Sequence, residues 1–161
     1  MKSVVIDERR VLFFEKFFPL RLPKKAFFKH EVLIGIGGNI GDVKKSFKKL
    51  YMYLRRDRRF HILQTSPIFK NPPFGYIHQD DFYNAVIRLQ TSLSPRVLLK
   101  ILLNIEKIFK RSRSFKNAPR TLDIDIIFYD NLKYSSKTLL IPHPKWSERE
   151  SVVVPLNFII Q

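Results

Sequence analysis

Apolar positions recur along this chain with two different periods, and each period predicts one type of element. Residues 31–36, EVLIGI, form a short apolar run that indicates a strand. Residues 43–54 repeat apolar side chains at helical spacing after Asp42, which can cap a helix. Segments 60–69 and 82–91 are rich in β-branched and aromatic residues, and both are predicted to be strands.

The second half of the chain continues this alternation of helix and strand. The clearest helical pattern covers residues 92–111, where a serine cap and a following proline suit the first turn. A strand is predicted at 122–129, and residues 151–160 are expected to form a last strand broken by a proline. From Glu31 the order is β-α-β-β-α-β. This order predicts an α/β (α+β) fold with a ferredoxin-like core, an antiparallel sheet, packed helices, and extra N- and C-terminal elements.

Residues 1–29 are expected to be an N-terminal extension of a single domain over residues 30–161. Segment 3–14, SVVIDERRVLFF, is compatible with a short hairpin, and prolines predict a loop at residues 19–25. A chain of 161 residues is long enough to bury a substantial core without cross-links.

Composition narrows the compartment and the partners. There is no cysteine, no apolar run approaches the ~20 residues of a membrane span, and the charged N-terminus lacks a signal-peptide pattern. A cytoplasmic protein without membrane contact is therefore expected. The 30 Lys and Arg against 14 Asp and Glu give a net charge of +16, which suits nucleic acid, an anionic membrane or a polyphosphate substrate. Because the lysines are scattered, simple compositional drift also explains this excess.

Two acids interrupt the otherwise apolar strand predicted at residues 122–129. One face of a regular strand would carry Leu122, Ile124, Ile126 and Phe128, and the other Asp123, Asp125, Ile127 and Tyr129. Two carboxylates about 6–7 Å apart on one face are costly to bury unless a cation joins them. They predict a site for Mg²⁺, which takes its other ligands from water and phosphate.

Arginines lie close to these acids in the sequence. Arg111, Arg113 and Arg120 all fall within the fifteen residues that end at Asp125. Guanidinium groups bind phosphate oxygens, so arginines and acids together could form a phosphoryl-transfer site. The alternative is an ion-pair network in which Arg120 neutralises the acids.

Three other segments carry possible binding groups. In NPPFGYIHQDDFYNA, Phe82 and Asn84 share a strand face that suits a flat heterocycle, although Phe82 alone could be a core residue. In IPHPKWSER, His143 could contact a phosphate or bond to the backbone. GIGGNIG misses both the dinucleotide-binding and the P-loop patterns, and a tight turn with positive φ and close packing explains it better.

Together these segments resemble the 6-hydroxymethyl-7,8-dihydropterin pyrophosphokinase family of folate biosynthesis. From residue 33 to about residue 156, the matching segments are IGIGGNIGD, TSPIFKNPPFGYIHQDDFYNAV, APRTLDIDIIFYDN and IPHPKWSERESVVVPL. The resemblance implies an ATP-dependent diphosphotransferase that moves pyrophosphate from ATP to the pterin's hydroxymethyl group and releases AMP. It also implies two Mg²⁺ ions, ATP and the pterin as partners, no nucleic acid, and a monomer or weak dimer.

The resemblance further implies roles for individual residues. Asp123 and Asp125 match the metal ligands, and Arg111 and Arg120 match arginines near the transferring group. The expected ATP contacts are Arg113, Ile126, His143, Arg149 and Glu106. The expected pterin contacts are Asn71, Pro72, Phe74, Phe82 and Asn84. Loops 70–80 and 112–119 are expected to close over ATP, and the segment 111–119 to become ordered when ligands bind.

The chain departs from the family pattern at several positions. Ser151 stands where an aromatic usually closes the pterin sandwich, and Asn117-Ala118 replaces a common Trp-Gly. Asn71 stands where Thr is frequent, and the C-terminal tail is expected to be short. The first two departures affect the expected substrate affinity and loop closure rather than the reaction.

A different class of function remains as a rival hypothesis. A basic, non-catalytic module could bind single-stranded nucleic acid on a four-stranded sheet that carries stacking aromatics. This hypothesis predicts exposed aromatic side chains on the central strands, whereas TLDIDI places acids there.

Overall fold

A computed structural model describes residues 2–109, 116–117 and 119–159. The strands are β1 (Lys2–Val5), β2 (Val11–Phe14), β3 (Leu20–Arg21), β4 (His30–Gly38), β5 (Phe60–Thr65), β6 (Ile68–Asn71), β7 (Phe82–Thr91), β8 (Asp123–Tyr129), β9 (Tyr134–Ser135) and β10 (Leu140–Ile141). The helices are α1 (Val43–Arg56), α2 (Pro95–Ile108) and α3 (Glu150–Leu156), with a 3₁₀ turn at Trp146–Glu148.

The predicted ferredoxin-like core is confirmed by the order of the central strands. They lie in the order β5-β7-β4-β8, and each neighbouring pair is antiparallel. The predicted strand at 60–69 is split into β5 and β6 around Ser66 and Pro67, since proline cannot donate a ladder hydrogen bond. Both pieces pair with β7, and β2 and β1 extend the sheet beyond β6.

Both long helices begin where the sequence predicts. The Asp42 side chain accepts a hydrogen bond of 3.1 Å from the backbone N–H of Lys45, and Ser94 accepts one from Val97. Helix α1 buries Val43, Phe47, Leu50, Tyr51 and Leu54 on one face of the sheet.

The last predicted strand is wrong, because residues Glu150–Leu156 form α3. Val152 and Pro155 are buried at helical spacing, and Val152 packs with Leu33, Val86 and Ile127 on the sheet face opposite α1 and α2. Burial against that face outweighs the strand preference of three successive valines, since β propensity depends strongly on context.

The predicted alternation along β8 is correct only as far as Ile127. The register against β4 shifts between Leu33 and Ile34, so one residue of β8 is extra at that point. Beyond this bulge the faces exchange: Tyr129 joins the helix-side core, and Phe128 packs with Ile127 on the other face. The expected positions of Phe128 and Tyr129 are therefore reversed.

The N-terminal residues belong to the same sheet and core. Strands β1 and β2 form the expected hairpin, with Val5 opposite Val11. Phe18 is fully buried, and its ring contacts the rings of Phe47 and Tyr51 at centroid distances of 6.0 and 6.4 Å. Within residues 2–109, 116–117 and 119–159, no helix combines the length and the apolar character needed to cross a membrane.

Candidate active site

A cavity opens on the sheet face opposite α1 and α2. Together with its open mouth it encloses about 710 Å³. Most of the predicted site residues line it. These are Asn71, Pro72, Phe74, Phe82, Asn84, Arg120, Asp123, Asp125, His143 and Arg149, together with Ser151.

The two strand carboxylates face this cavity above a floor of glycines. Asp125 lies opposite Gly35 of β4, and Asp123 lies opposite Gly37. All four residues line the cavity, and both acids are partly buried. Because glycine has no side chain, β4 leaves room beside the acids for the Asn84 amide at Gly37 and for the Ile127 side chain at Gly35.

The acids fit a magnesium site that is completed by a substrate. Among the residues that the structure describes, no group of three or more His, Cys, Asp or Glu side chains could hold a metal ion. Two carboxylates suit Mg²⁺, because this ion usually keeps waters and takes further ligands from substrate phosphates.

Arg120 contacts both ends of the cavity. Its Nη1 donates to Asp123 Oδ2 at 3.0 Å, and its guanidinium carbon lies 5.2 Å from the centre of the Phe82 ring. The ion pair expected under the alternative hypothesis is thus present between Arg120 and Asp123. The same guanidinium group also covers part of the Phe82 ring.

Asn84 is oriented by a neighbouring amide. Its Nδ2 donates to Asn71 Oδ1 at 2.6 Å, and Asn71 Nδ2 donates to the Pro72 carbonyl at 3.2 Å. A Cβ added at Gly37 would lie only 2.5 Å from Asn84 Oδ1. The carboxamide therefore has a fixed position that depends on glycine at residue 37.

Asn39, which the sequence reasoning did not select, connects three segments around the cavity. Its Oδ1 accepts from the Arg120 N–H at 3.0 Å, and its Nδ2 donates to Gln79 Oε1 and the Asp80 carbonyl. Gln79 in turn donates to the Asn117 carbonyl at 2.8 Å. Its place within GIGGNIG and its burial, at 7% exposure, are the signals that could have identified it.

The glycine segment itself is mostly strand rather than turn. Gly35, Gly37 and Gly38 belong to β4, and only Gly41 has a positive φ, of 74°. A Cβ at Gly38 would lie 2.5 Å from the Thr121 carbonyl oxygen. The predicted close packing is confirmed, while the predicted positive φ holds only at Gly41.

His143 and Arg149 line another part of the cavity, which we call the His143–Arg149 wall. The His143 N–H donates to the Ile127 carbonyl at 2.9 Å, which attaches this segment to β8. Burial, reinforced by the positive charge of Arg149, lowers the pKa of the His143 imidazole below its ordinary value. His143 Nδ1 accepts from the Lys145 N–H at 3.3 Å, so the neutral ring carries its hydrogen on Nε2.

Arg149 has a partly unsatisfied guanidinium group beside the exposed ring of Phe74. Its Nε is buried without a hydrogen-bond partner among the described residues. Its guanidinium carbon lies 5.3 Å from the Phe74 ring centre. Arg149 also lines the cavity, where a guanidinium group is suited to an anionic ligand.

Two predicted ATP-site residues lie outside the cavity. Ile126 is 4% exposed and packs in the helix-side core, whereas Ile127 lines the cavity. Glu106 is 3% exposed on α2 and accepts a hydrogen bond of 2.6 Å from the Ile124 backbone N–H. In this structure Glu106 therefore contacts the backbone of β8 and does not line the cavity.

Several predictions fall on segments that the structure does not describe. Arg111 and Arg113 lie outside the described residues, as does most of the loop 111–119 that is expected to order with ligands. Of the departures from the family pattern, Ser151 lines the cavity and Asn117 contacts Gln79.

The chain is similar to known proteins over most of its length. The model of the 7,8-dihydro-6-hydroxymethylpterin-pyrophosphokinase family matches residues 33–161. A protein of Helicobacter pylori named 2-amino-4-hydroxy-6-hydroxymethyldihydropteridine pyrophosphokinase is 44% identical over 149 residues, covering 91% of each chain. Proteins of the same name are 47% identical in Campylobacter jejuni, over 91% of this chain and 94% of the relative, and 33% identical in Bacillus subtilis, over 80% and 77%.

Proposed function

The chain belongs to the 7,8-dihydro-6-hydroxymethylpterin-pyrophosphokinase family, and from this membership we propose how its own residues perform the reaction. The protein is a pyrophosphokinase of folate biosynthesis. It transfers the pyrophosphoryl group of ATP to the hydroxymethyl group of 6-hydroxymethyl-7,8-dihydropterin. The observation that carries the assignment of residues is the pair Asp123 and Asp125 beside the glycine floor of a cavity that also contains arginines and an oriented amide.

The pterin is proposed to bind at the Phe82 end of the cavity. Asn84, which is held by Asn71, offers hydrogen-bonding groups to the edge of the heterocycle. Phe82 offers a ring for stacking, and Pro72 and Phe74 line the same cavity. Because Arg120 covers part of Phe82 without ligand, we expect its guanidinium to move when the pterin stacks there.

The triphosphate is proposed to lie between the two acids and the wall formed by His143 and Arg149. Asp123 and Asp125 would hold Mg²⁺, and we propose two ions. When bound, Mg²⁺ neutralises charge on the phosphate oxygens. Arg149, whose Nε is buried without a partner, and neutral His143 offer donors to the same phosphates. Arg113, Ile126 and Glu106 remain predicted ATP contacts, and Ile126 could contribute only backbone atoms to the cavity face.

The chemical step is a displacement at the β-phosphorus of ATP. The hydroxymethyl oxygen forms a bond to this phosphorus and gives up its proton to water, the bond from phosphorus to the α,β-bridging oxygen breaks, and AMP leaves. The side chains align the two reactants and stabilise developing negative charge. Arg120 and Arg111 are proposed to act at the transferring group, and Arg120 is suited to this because it contacts both Asp123 and Phe82.

We propose a monomer or weak dimer in the cytoplasm that does not bind nucleic acid. The residues of β4 and β8 that line the cavity are glycine, isoleucine and aspartate, and none of them is an aromatic on which a base could stack.

The reaction is tested by identifying the nucleotide product. Purified protein is incubated with Mg-ATP, with and without the pterin alcohol, and nucleotides are separated by chromatography. AMP that appears only with the pterin supports the proposal. ADP in its place would indicate an ordinary kinase, and the absence of both would contradict a catalytic role.

A further inference from the structure

The turn of the N-terminal hairpin reaches the wall of the cavity through Arg10. Arg10 Nε donates to both carboxylate oxygens of Glu150, at 2.9 and 3.0 Å. Its Nη1 donates to Asp7 Oδ2 at 3.0 Å, which fixes the guanidinium from the other side. Arg10 is thus held between its own turn and the first residue of α3.

Glu150 lies between two residues of the candidate site. It lies between Arg149 and Ser151, and both of these neighbours line the main cavity. A second cavity of about 620 Å³ adjoins the first and is lined by Arg10, by residues 71–74 and by residues 148–151. Arg10 therefore lies where the loop after β6 approaches the start of α3.

Helix α3 has little local support for its own N-terminus. It has only seven residues, and its N-cap residue, Arg149, makes no side-chain capping hydrogen bond. Short helices are marginal in isolation, so contacts with the rest of the protein must hold α3 in place. Val152 supplies an apolar contact, and the pair of Arg10 with Glu150 holds the end that carries Ser151.

The same turn also contacts the segment that leads into β7 and its first residue, Phe82. Arg9 Nη2 donates to Asp81 Oδ1 at 2.5 Å, and Asp81 directly precedes Phe82. Asp7 Oδ1 accepts from the Arg9 N–H at 2.8 Å, so one aspartate orders both arginines. The turn thereby joins two walls of the proposed pterin pocket.

We propose that Arg10 is a positioning residue for pterin binding, which acts by holding Glu150 and with it the start of α3. This inference rests on the proposed function. Residue 10 lies before residues 33–161, the segment that matches the family model, so the proposed role is located outside that segment.

The test compares Arg10→Ala with a matched control, Arg59→Ala. Arg59 also pairs with an aspartate, Asp57, but it lies before β5 and does not line the cavity. We expect Arg10→Ala to raise the KM for the pterin roughly two- to fivefold while kcat changes less than about twofold. Arg59→Ala should leave both parameters unchanged.

Charge reversal provides the sharper measurement. Arg10→Glu should weaken pterin binding further, since it places two negative charges together at residues 10 and 150. Adding Glu150→Arg should restore much of the affinity for the pterin. Melting temperatures of all variants separate a global loss of stability from a local effect. An unchanged pterin KM in Arg10→Ala and Arg10→Glu, or a failure of the double variant to recover, would overturn the proposal. AMP formation by the unsubstituted protein reports separately on the proposed function.

Discussion

The carboxylate of Glu106 on α2 accepts a hydrogen bond of 2.6 Å from the backbone N–H of Ile124, between Asp123 and Asp125 on β8. Strand β8 is at the edge of the sheet, so no strand in the described part of the chain pairs with this N–H on its outer side. A buried side chain therefore satisfies the backbone between the two acids that line the cavity. The core face of the strand supports the functional face.

Glu106→Ala is expected to destabilise the protein and to disturb β8. The substitution leaves the Ile124 N–H buried without this acceptor, which costs about 1–3 kcal/mol in the free energy of unfolding. Glu106→Gln keeps an oxygen acceptor and should cost less. Urea unfolding of the two variants measures the difference. If both retain full stability while the KM for ATP rises, Glu106 acts on ATP and not on the strand.

Asp125→Asn is expected to keep the fold and to lose roughly two orders of magnitude in kcat, the size of effect seen when one charge-stabilising group is removed. The amide fits the same space but is a poor ligand for Mg²⁺. Asp123→Asn should behave in the same way. AMP formation at saturating Mg-ATP measures the loss.

The matched control for the acids is Asp130→Asn. Asp130 follows β8 at its far end, where it pairs with His30 and has a φ of 47°, a conformation that asparagine tolerates. Activity should remain close to that of the unsubstituted protein. Near-normal activity in Asp125→Asn would contradict the metal assignment.

Gly37→Ala is expected to weaken pterin binding roughly 10- to 100-fold, because the new Cβ must displace the Asn84 amide that is proposed to recognise the heterocycle. The Cβ would lie 2.5 Å from Asn84 Oδ1. Gly35→Ala is the comparison, since its Cβ would meet only the flexible Ile127 side chain, at 3.3 Å. Calorimetric titration with the pterin should rank Gly37→Ala well below Gly35→Ala, and equal affinities would argue against this role of Asn84.

Ser151→Phe is expected to tighten pterin binding roughly three- to tenfold, because an aromatic pair adds stabilisation beyond simple burial. Ser151 and Phe82 line the same cavity. Neither Trp146 nor Tyr83 fills the missing place, since Trp146 packs edge-on against Phe128 and Tyr83 contacts Phe13 on the core side.

Calorimetry with each ligand tests this substitution at Ser151. The affinity of Ser151→Phe for ATP should be nearly unchanged. The control is Ser147→Phe, at an exposed serine outside the cavity, which should change the affinity for neither ligand. Pterin affinity that stays equal or falls in Ser151→Phe would show that residue 151 does not face the pterin.

The stability of the ligand-free protein is expected to fall on acidification partly through His143. Burial lowers the pKa of its imidazole in the folded state, so below the ordinary His value of about 6.5 the unfolded chain binds more protons. Stability is therefore lost as pH falls from about 6.5 to the folded pKa, and the loss is constant below that. His143→Asn should lose less stability than the parent between about pH 7.5 and 5.5.

Urea midpoints at the two pH values measure the His143 contribution. An acid-induced loss in His143→Asn as large as that of the parent would contradict the expected contribution.

The local pattern of the sequence determined the elements and much of the candidate site. Periodicity and caps located α1 and α2, and the β-α-β-β-α-β order led to the observed strand neighbours. Period-two alternation brought Asp123 and Asp125 to one face, and the same reasoning joined Phe82 with Asn84. These features follow from residues close to one another in the chain, so the sequence alone was sufficient.

Other features were decided only by contacts between distant residues. Helix α3 forms because Val152 packs on Leu33 and Val86, and the bulge against β4 reverses Phe128 and Tyr129. Glu106 meets Ile124 eighteen positions away. Arg10 meets Glu150 across 140 positions. Local propensities are small compared with the free energy of burial and pairing, so tertiary packing determined the structure at these positions.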